Sequence, residues 1–153
     1  MNYWWVNQNK TWEQEIGGGF MWSPQKQANG KNTFHYDNMR LAKKDDVIFS
    51  YYNREIQAIG VVLTEAYDAP KPEEFGPTGT EWDHRGWKVD MHYKAISFPL
   101  SPLDIWDTLK LTLPEKYSPL NSNGGGYQGY LFNIPPEMAA LIFSNLAFYR
   151  FTL

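Results

Sequence analysis

The 153-residue sequence contains no cysteine. This absence excludes disulfide frameworks, thiolate zinc sites and cysteine nucleophiles, and it is typical of proteins from a reducing compartment. The sequence also lacks any apolar run near the roughly 18 residues of a membrane span, and it does not begin with a basic region leading into an apolar signal segment. We therefore expect a cytoplasmic protein with no membrane partner, folded as one domain over residues 1–153.

Patterns for metal binding and catalysis are also scarce. The three histidines lie far apart and form no ligand pair at helical spacing, so we expect no metal. No lysine follows an acidic residue two positions earlier, which excludes a common pattern of metal-dependent nucleases. Residues 124–129 satisfy GxGxxG but precede a predicted strand, whereas a dinucleotide site follows a strand and opens a helix. We expect no cofactor and no catalytic residue in this chain.

The sequence has fewer basic than acidic residues. The formal net charge of −3 argues against a general nucleic-acid binder, because such proteins depend on lysine and arginine for phosphate contacts. The charge is unevenly distributed, however. Residues 1–60 hold seven Lys+Arg against six Asp+Glu, and residues 61–153 hold seven against eleven. A surface that contacts anions is therefore expected in the first part of the chain.

Aromatic residues, in contrast, make up 17% of the chain and include seven tryptophans. Tryptophan fills cores, but it also supplies flat walls on which a base, a sugar or a methylated cation can stack. Trp4, Trp5 and Trp106 have apolar neighbours and fit a core. Trp22 follows three glycines and borders a polar loop over residues 23–32, so we interpret it as a ligand contact and the loop as a candidate binding edge.

Apolar periodicity and turn residues predict an α+β fold. The predicted strands cover residues 3–8, 47–52, 56–67, 86–98 and 130–134, with residues 53–55 closing a hairpin and residues 68–79 forming an irregular loop. The predicted helices cover residues 11–16, opened by a capping box, and residues 34–42, 101–109 and 135–146. The apolar residues 146–153 indicate either a final strand or the point where a longer natural chain continues.

Several of these segments, taken in order, resemble the EVE domain of the PUA-like superfamily, which is related to YTH domains. The resemblance rests on residues 3–7, 22–24, 38–39, 46–51, 59–62 and 87–90 and spans nearly the whole chain. Residues 4–9, 17–24, 70–79 and 116–120 are similar to the N-terminal domain of EVE–HNH type IV restriction endonucleases. Those enzymes cut DNA that carries modified cytosine, and their nuclease domain follows the reader domain.

The resemblance implies a strongly curved, partly closed β-sheet flanked by short helices, with an aromatic-walled pocket for a modified base turned out of its stack. The base pocket that it implies is formed by Asn7, Trp22, Ser23, Ser50, Tyr51, Trp82, Trp87 and Asp90. Either Trp82 or Trp87 would supply the wall opposite Trp22. Asp90 could accept from a cytosine amino group, but strand alternation puts it on the opposite face from Trp87, which argues against both residues lining one pocket.

Phosphate contacts are assigned to basic residues on loops and strand ends near this pocket. They are Lys26, Lys31, Arg54, Arg85 and Lys88.

Three functions remain open at the level of sequence. The first is a reader of double-stranded DNA containing 5-methylcytosine or 5-hydroxymethylcytosine, acting as the specificity domain of a modification-dependent endonuclease. The second is a reader of modified RNA or N6-methyladenine, as YTH domains are. The third is a small hydrolase that uses Asp90 and His92. The resemblance favours the first, in which this chain is not itself an enzyme.

Overall fold

In this computed structural model, which describes residues 1–79, 82 and 85–151, a mixed β-sheet is flanked by short helices. The strands are β1 Tyr3–Asn7, β2 Phe20–Pro24, β3 Val47–Tyr52, β4 Glu55–Val62, β5 Tyr67–Pro70, β6 Arg85–Leu100 and β7 Leu131–Ile134. The α-helices are α1 Trp12–Gly18, α2 Phe34–Asp37, α3 Trp106–Leu109 and α4 Pro136–Phe151, and short 3₁₀ turns cover Asn38–Arg40, Glu73–Phe75, Pro102–Ile105 and Lys110–Thr112. No helix within these ranges is long and apolar enough to cross a membrane.

The strands are arranged in the order β2-β6-β4-β3-β1-β7, and β5 pairs with β6. β1 and β3 are parallel, and the other pairs are antiparallel. The 16-residue β6 pairs with β4 along its second half and with β2 and β5 along its first half, so the sheet curls along this strand. The outermost strands approach each other, because the main-chain N–H of Trp22 in β2 donates to the hydroxyl of Tyr130 just before β7, at 3.1 Å. The result is a partly closed barrel.

The alternation of side chains along the strands separates three apolar clusters. One contains Trp5, Phe49 and Phe132 and packs against α4. The second fills the inside of the curled sheet and contains Trp4, Val6, Met21, Ile48 and Val89 among others. The third is small and contains Phe20, Trp22 and Phe75, with Trp82 packed against it. The predicted core role of Trp4 and Trp5 agrees with their burial, since both are almost fully buried.

Some local predictions were wrong. Thr11 makes no capping hydrogen bond with its side chain, because its hydroxyl bonds to the Glu15 carboxylate one turn later. The loop predicted over residues 68–79 contains the end of β5 and a 3₁₀ turn, since β6 offers an open edge for pairing. The final strand that the apolar residues 146–153 suggested is also wrong in the described part, because α4 continues to Phe151.

Candidate nucleic-acid site

A cavity of about 660 Å³ opens where the ends of β1 and β2 meet the segment before β7. We refer to it as the Asn7 cavity. Its size falls within the roughly 300–1,000 Å³ typical of small-ligand sites. It is lined by Asn7, Asn9–Thr11, Trp22–Pro24, Gln27, Ala28, His35, Tyr36, Trp82 and Tyr127–Tyr130. Aromatic and neutral polar side chains dominate the lining, one lysine is included, and no described acidic residue takes part.

Asn7 lines this cavity and has an unused hydrogen-bond acceptor. Its amide Nδ2 donates to the Tyr127 carbonyl at 3.0 Å, so its orientation is fixed. Its Oδ1 is fully shielded and has no hydrogen-bond partner. A buried polar atom left unpaired costs about 1–3 kcal/mol, so such atoms are rare without a reason. The arrangement suits a ligand that donates an N–H to Oδ1.

Trp22 and Trp82 form an aromatic wall beside Asn7. Their ring centroids lie 6.2 Å apart, and Phe75 contacts both rings edge-on. The indole N–H of Trp22 donates to the Ala69 carbonyl at 3.1 Å, and only 2% of the residue remains exposed. Trp22 is therefore a fixed support within the small apolar cluster. The half-buried Trp82 is the more open of the two walls.

Two glycines leave the space that these two indole rings occupy. A Cβ at Gly86, which lies opposite Pro24 in the β2–β6 register, would stand 2.2 Å from Trp22 Cε2. A Cβ at Gly79 would stand 2.0 Å from Trp82 Cε3, and Gly79 also has a φ of +71°, which favours glycine. The backbone approaches both rings too closely for any side chain.

We expect Gly86→Ala to destabilise the fold by about 1–3 kcal/mol, because the added methyl group overpacks the Trp22 site. Urea unfolding followed by tryptophan fluorescence measures this change. Gly17→Ala is the matched control, since no atom lies within 4 Å of a Cβ at that helical position and alanine favours helix. Equal stability of the Gly86→Ala protein and the wild type would contradict the close approach.

Ser23 lines the same cavity from the end of β2. It is 1% exposed, and its hydroxyl donates to the Pro24 carbonyl at 3.0 Å. The hydroxyl oxygen keeps acceptor capacity towards the cavity.

A buried carboxylate lies behind the cavity floor. Glu15 on α1 is fully buried, and its carboxylate is hydrogen-bonded by Thr11, by Tyr130 and by Gln8, the last at 3.1 Å. Thr11 and Tyr130 line the cavity, and the Tyr130 hydroxyl also accepts from the Trp22 main chain. One side chain thus connects the walls contributed by the segment before α1, by β2 and by the segment before β7.

Burial raises the pKa of Glu15 from 4.5 to about 7, although the hydrogen bonds from Thr11, Tyr130 and Gln8 lower it in part. Burial and the nearby Glu15 charge hold the pKa values of Tyr93 and Tyr130 well above their usual range. Both phenols therefore stay protonated at neutral pH. The Tyr130 hydroxyl donates to Glu15, whereas the Tyr93 hydroxyl accepts from Gln8 and donates to a main-chain carbonyl.

His35 forms another part of the lining. Its Nδ1 accepts the main-chain N–H of Tyr130 at 3.2 Å, which leaves the proton of the neutral ring on Nε2. Burial lowers the pKa of His35, with the charge of Asp37 opposing the shift. The imidazole is thus a neutral ring held between the chain segments that shape the cavity.

Four of the eight predicted pocket residues line the Asn7 cavity, namely Asn7, Trp22, Ser23 and Trp82. The structure thereby places Trp82, and not Trp87, at the wall. That these four residues bind a base remains a prediction.

Ser50 and Tyr51 do not line this cavity, contrary to the prediction. The Ser50 side chain is fully buried, and its hydroxyl donates to Gln8 Oε1 at 2.6 Å, within the network behind the floor. Tyr51 points into the core beside α4 and packs on Trp5 with a centroid separation of 4.8 Å. Ser50 and Tyr51 are adjacent on β3 and so face opposite sides of the sheet, and each side is covered by other parts of the protein.

Trp87 and Asp90 also lie away from the cavity lining. Trp87 packs against the apolar cluster inside the sheet, and the Arg40 guanidinium carbon lies 5.1 Å from its ring centroid. Asp90 accepts a hydrogen bond from the Tyr67 hydroxyl at 2.6 Å. These contacts occupy both side chains, so Trp87 does not form the predicted wall and Asp90 does not offer the predicted acceptor.

The predicted phosphate contacts also differ in their surroundings. Lys26 and Lys31 lie on the exposed loop whose Gln27 and Ala28 line the cavity. Arg54 lies in the β3–β4 turn. Arg85 forms a salt bridge with Asp68 at 3.5 Å, and the Lys88 ammonium lies 4.7 Å from the Phe20 ring centroid. The last two cations therefore already contact protein groups.

Sequence reasoning missed part of the lining. Several residues line the cavity although they were not predicted to contact a ligand. They are Lys10, Thr11, His35, Tyr36, Tyr127, Gln128 and Tyr130. Most of them lie between regular elements, where no periodicity marks the direction of a side chain. The one available signal was the aromatic content of segments rich in glycine and polar residues.

No family model and no curated protein matches the chain. Solved structures do match. Human THYN1, determined in complex with 5-methylcytosine-containing DNA, is 15% identical, with 95% of this chain and 98% of THYN1 covered and a TM-score of 0.58. The N-terminal domain of Staphylothermus marinus McrB is 16% identical over 93% of each chain, with a TM-score of 0.53. An ASCH mutant protein from Zymomonas mobilis is 8% identical, with 94% and 98% covered and a TM-score of 0.57.

The chain has the PUA-like fold of these structures. The predicted α+β class and the curved, partly closed sheet are thereby confirmed. Within this fold, the Asn7 cavity lies at the end of the sheet where the parallel strands β1 and β3 both terminate.

Proposed function

We propose that this chain is a non-catalytic reader of modified DNA that holds a turned-out base in the Asn7 cavity. The buried, unpaired Oδ1 of Asn7 carries the proposal, because a base amino or imino N–H is the donor that it lacks. Trp82 offers an aromatic surface for stacking, worth about 1–3 kcal/mol per base. This gain offsets the few kcal/mol lost when a base leaves its stack.

The charges around the cavity support a nucleic-acid ligand. Lys10 lines the cavity, and the neighbouring loop carries Lys26 and Lys31, which form no salt bridge with any described residue. No described acidic residue lines the cavity. The mouth is thus locally cationic although the chain as a whole is anionic, which suits phosphates on either side of an extruded base.

We further propose that the base is 5-methylcytosine or 5-hydroxymethylcytosine, and that the chain is the specificity domain of a modification-dependent restriction endonuclease. The solved complex of THYN1 with 5-methylcytosine DNA and the likeness to the McrB N-terminal domain support this assignment. Residues 1–153 would then form one reader domain, with an HNH nuclease domain following it in the natural protein.

The test is binding of the purified chain to matched duplexes carrying cytosine, 5-methylcytosine, 5-hydroxymethylcytosine or N6-methyladenine. We expect at least tenfold preference for one cytosine modification, and we expect Trp82→Ala to reduce that affinity about tenfold because one stacking surface is lost. Fluorescence anisotropy at low salt measures both effects.

Trp87→Ala is the matched control, since Trp87 is another half-buried tryptophan but lies outside the cavity lining. It should leave the preference intact in folded protein. Equal affinity for all four duplexes would refute the reader of modified cytosine, and tighter binding to modified RNA would move the function to that class.

A further inference from the structure

A second cavity, of about 710 Å³, adjoins the Asn7 cavity. We refer to it as the Tyr117 cavity. It lies between Phe34 and the segments around Trp106 and residues 110–122, and it shares Tyr127 and Gln128 with the Asn7 cavity. The proposed function does not use this space.

The two cavities share Tyr127 as a common wall. The Tyr127 carbonyl accepts from Asn7 Nδ2 on one side, and the Tyr127 N–H donates to the Pro119 carbonyl on the other, at 2.9 Å. The Tyr127 ring itself is 51% exposed. Phe34 gives a second connection, because its ring contacts His35 of the Asn7 cavity edge-on at 5.3 Å. A ligand that fills one cavity therefore reaches the rim of the other.

Tyr117 is unusual in both its backbone and its exposure. Its φ of +57° is unfavourable for a bulky residue, and such strain clusters at ligand sites. The ring packs on Phe34 at an interplanar angle of 33° with centroids 4.2 Å apart, yet 64% of the residue remains exposed. A core role would bury this ring, so its exposed surface is available to a flat ligand.

The remaining lining fits a nucleobase with its phosphate. Lys110 lines the cavity, and Glu115 is the one acidic residue among the described lining. Gln128, on the shared wall, forms no side-chain hydrogen bond with the described residues and is free to contact a base edge. Aromatic surfaces combined with a cation are the arrangement by which proteins hold single-stranded nucleic acid.

We propose that the Tyr117 cavity binds the base next to the read base on the same strand, stacked on Tyr117. The inference rests on the proposed function, since the read base in the Asn7 cavity brings its neighbour across the Tyr127 wall. The domain would then recognise an unstacked dinucleotide unit.

The test compares 5-methyl- and 5-hydroxymethyl-deoxycytidine monophosphate with dinucleotides that extend each of them by one thymidine on the 5′ or the 3′ side. We expect one dinucleotide to bind about tenfold tighter than its mononucleotide, the size of one stacked base. An abasic residue in place of the thymidine should remove the gain. Calorimetry with the full chain measures all affinities.

Tyr117→Ala should reduce the gain of the dinucleotide to less than twofold and leave the mononucleotide affinity unchanged. The matched control is Tyr67→Ala, another exposed tyrosine, which belongs to neither cavity lining. A gain that survives Tyr117→Ala, or equal affinity for mononucleotide and dinucleotides, would overturn the inference while the reader function stands. The proposed function would instead be overturned if the mononucleotides did not bind and Asn7→Ala left the affinity for the dinucleotides unchanged.

Discussion

Asn7→Ala is expected to weaken binding of the preferred modified duplex by about 10- to 100-fold. In the complex, the substitution removes the acceptor that a base N–H would reach and leaves that donor unpaired in a shielded site, at about 1–3 kcal/mol. Stability of the free protein should change by less than about 1 kcal/mol, because losing an unpaired buried acceptor offsets the loss of one hydrogen bond to Tyr127. Anisotropy titration and thermal unfolding of the same samples separate the two effects.

Asn133→Ala is the control for this experiment, since Asn133 is an exposed asparagine on β7 whose amide also donates to a main-chain carbonyl. It should bind like the wild type. Unchanged affinity of the Asn7→Ala protein would place the read base elsewhere, whereas a large loss of stability would identify Asn7 as a structural residue.

Glu15→Gln is expected to remove most of the pH dependence of stability between pH 5 and 8. With a pKa of 4.5 in the unfolded chain and about 7 in the folded chain, Glu15 binds more protons in the folded state across this window. The free energy of unfolding of the wild type therefore falls as pH rises from about 4.5 to 7, by an amount on the order of 3 kcal/mol. Glutamine is neutral throughout, so the variant should be the more stable protein above pH 8.

Urea unfolding at pH 5, 6, 7 and 8, followed by tryptophan fluorescence, measures this dependence. Glu13→Gln, at an exposed position on the same helix, should keep the dependence of the wild type. If Glu15→Gln and the wild type fall in parallel as pH rises, another group is responsible for the proton uptake. Thr11 and Tyr130 line the cavity and are hydrogen-bonded to Glu15. Ligand affinity measured at the same pH values should therefore vary more with pH in the wild type than in the Glu15→Gln protein.

The sequence allowed the fold to be predicted well because its signals are local and numerous. β4 alternates half-buried and buried positions along all eight of its residues, and the adjoining hairpin closes through Asn53 and Arg54 at positive φ. The resemblance to EVE domains supplied the curved, partly closed form of the sheet. The predicted boundaries of strands and helices were less accurate where tertiary contacts decide them, as for the pairing of β5 with β6.

The candidate site was harder to predict because its residues come from separate loops. Asn7 and Ser23 lie at strand ends, where the resemblance could place them. Ser50 and Tyr51 are on a strand next to β1, but they face opposite sides of the sheet, Ser50 towards buried Gln8 and Tyr51 towards the core beside α4. Tyr127 and Tyr130 approach Asn7 only because β7 pairs with β1, across about 120 residues of sequence. No local pattern contains that information.

The pairing of β1 with β7 also has a consequence for synthesis on the ribosome. β1 emerges first, but β7 and the Tyr127 carbonyl that orients Asn7 are made more than 120 residues later. Contacts with such a wide sequence separation form slowly, and until then the apolar β1 offers an open edge to other chains. Nascent chains that stop before β7 should therefore depend on chaperones and bind no ligand, so that ligand binding reports that synthesis has passed β7.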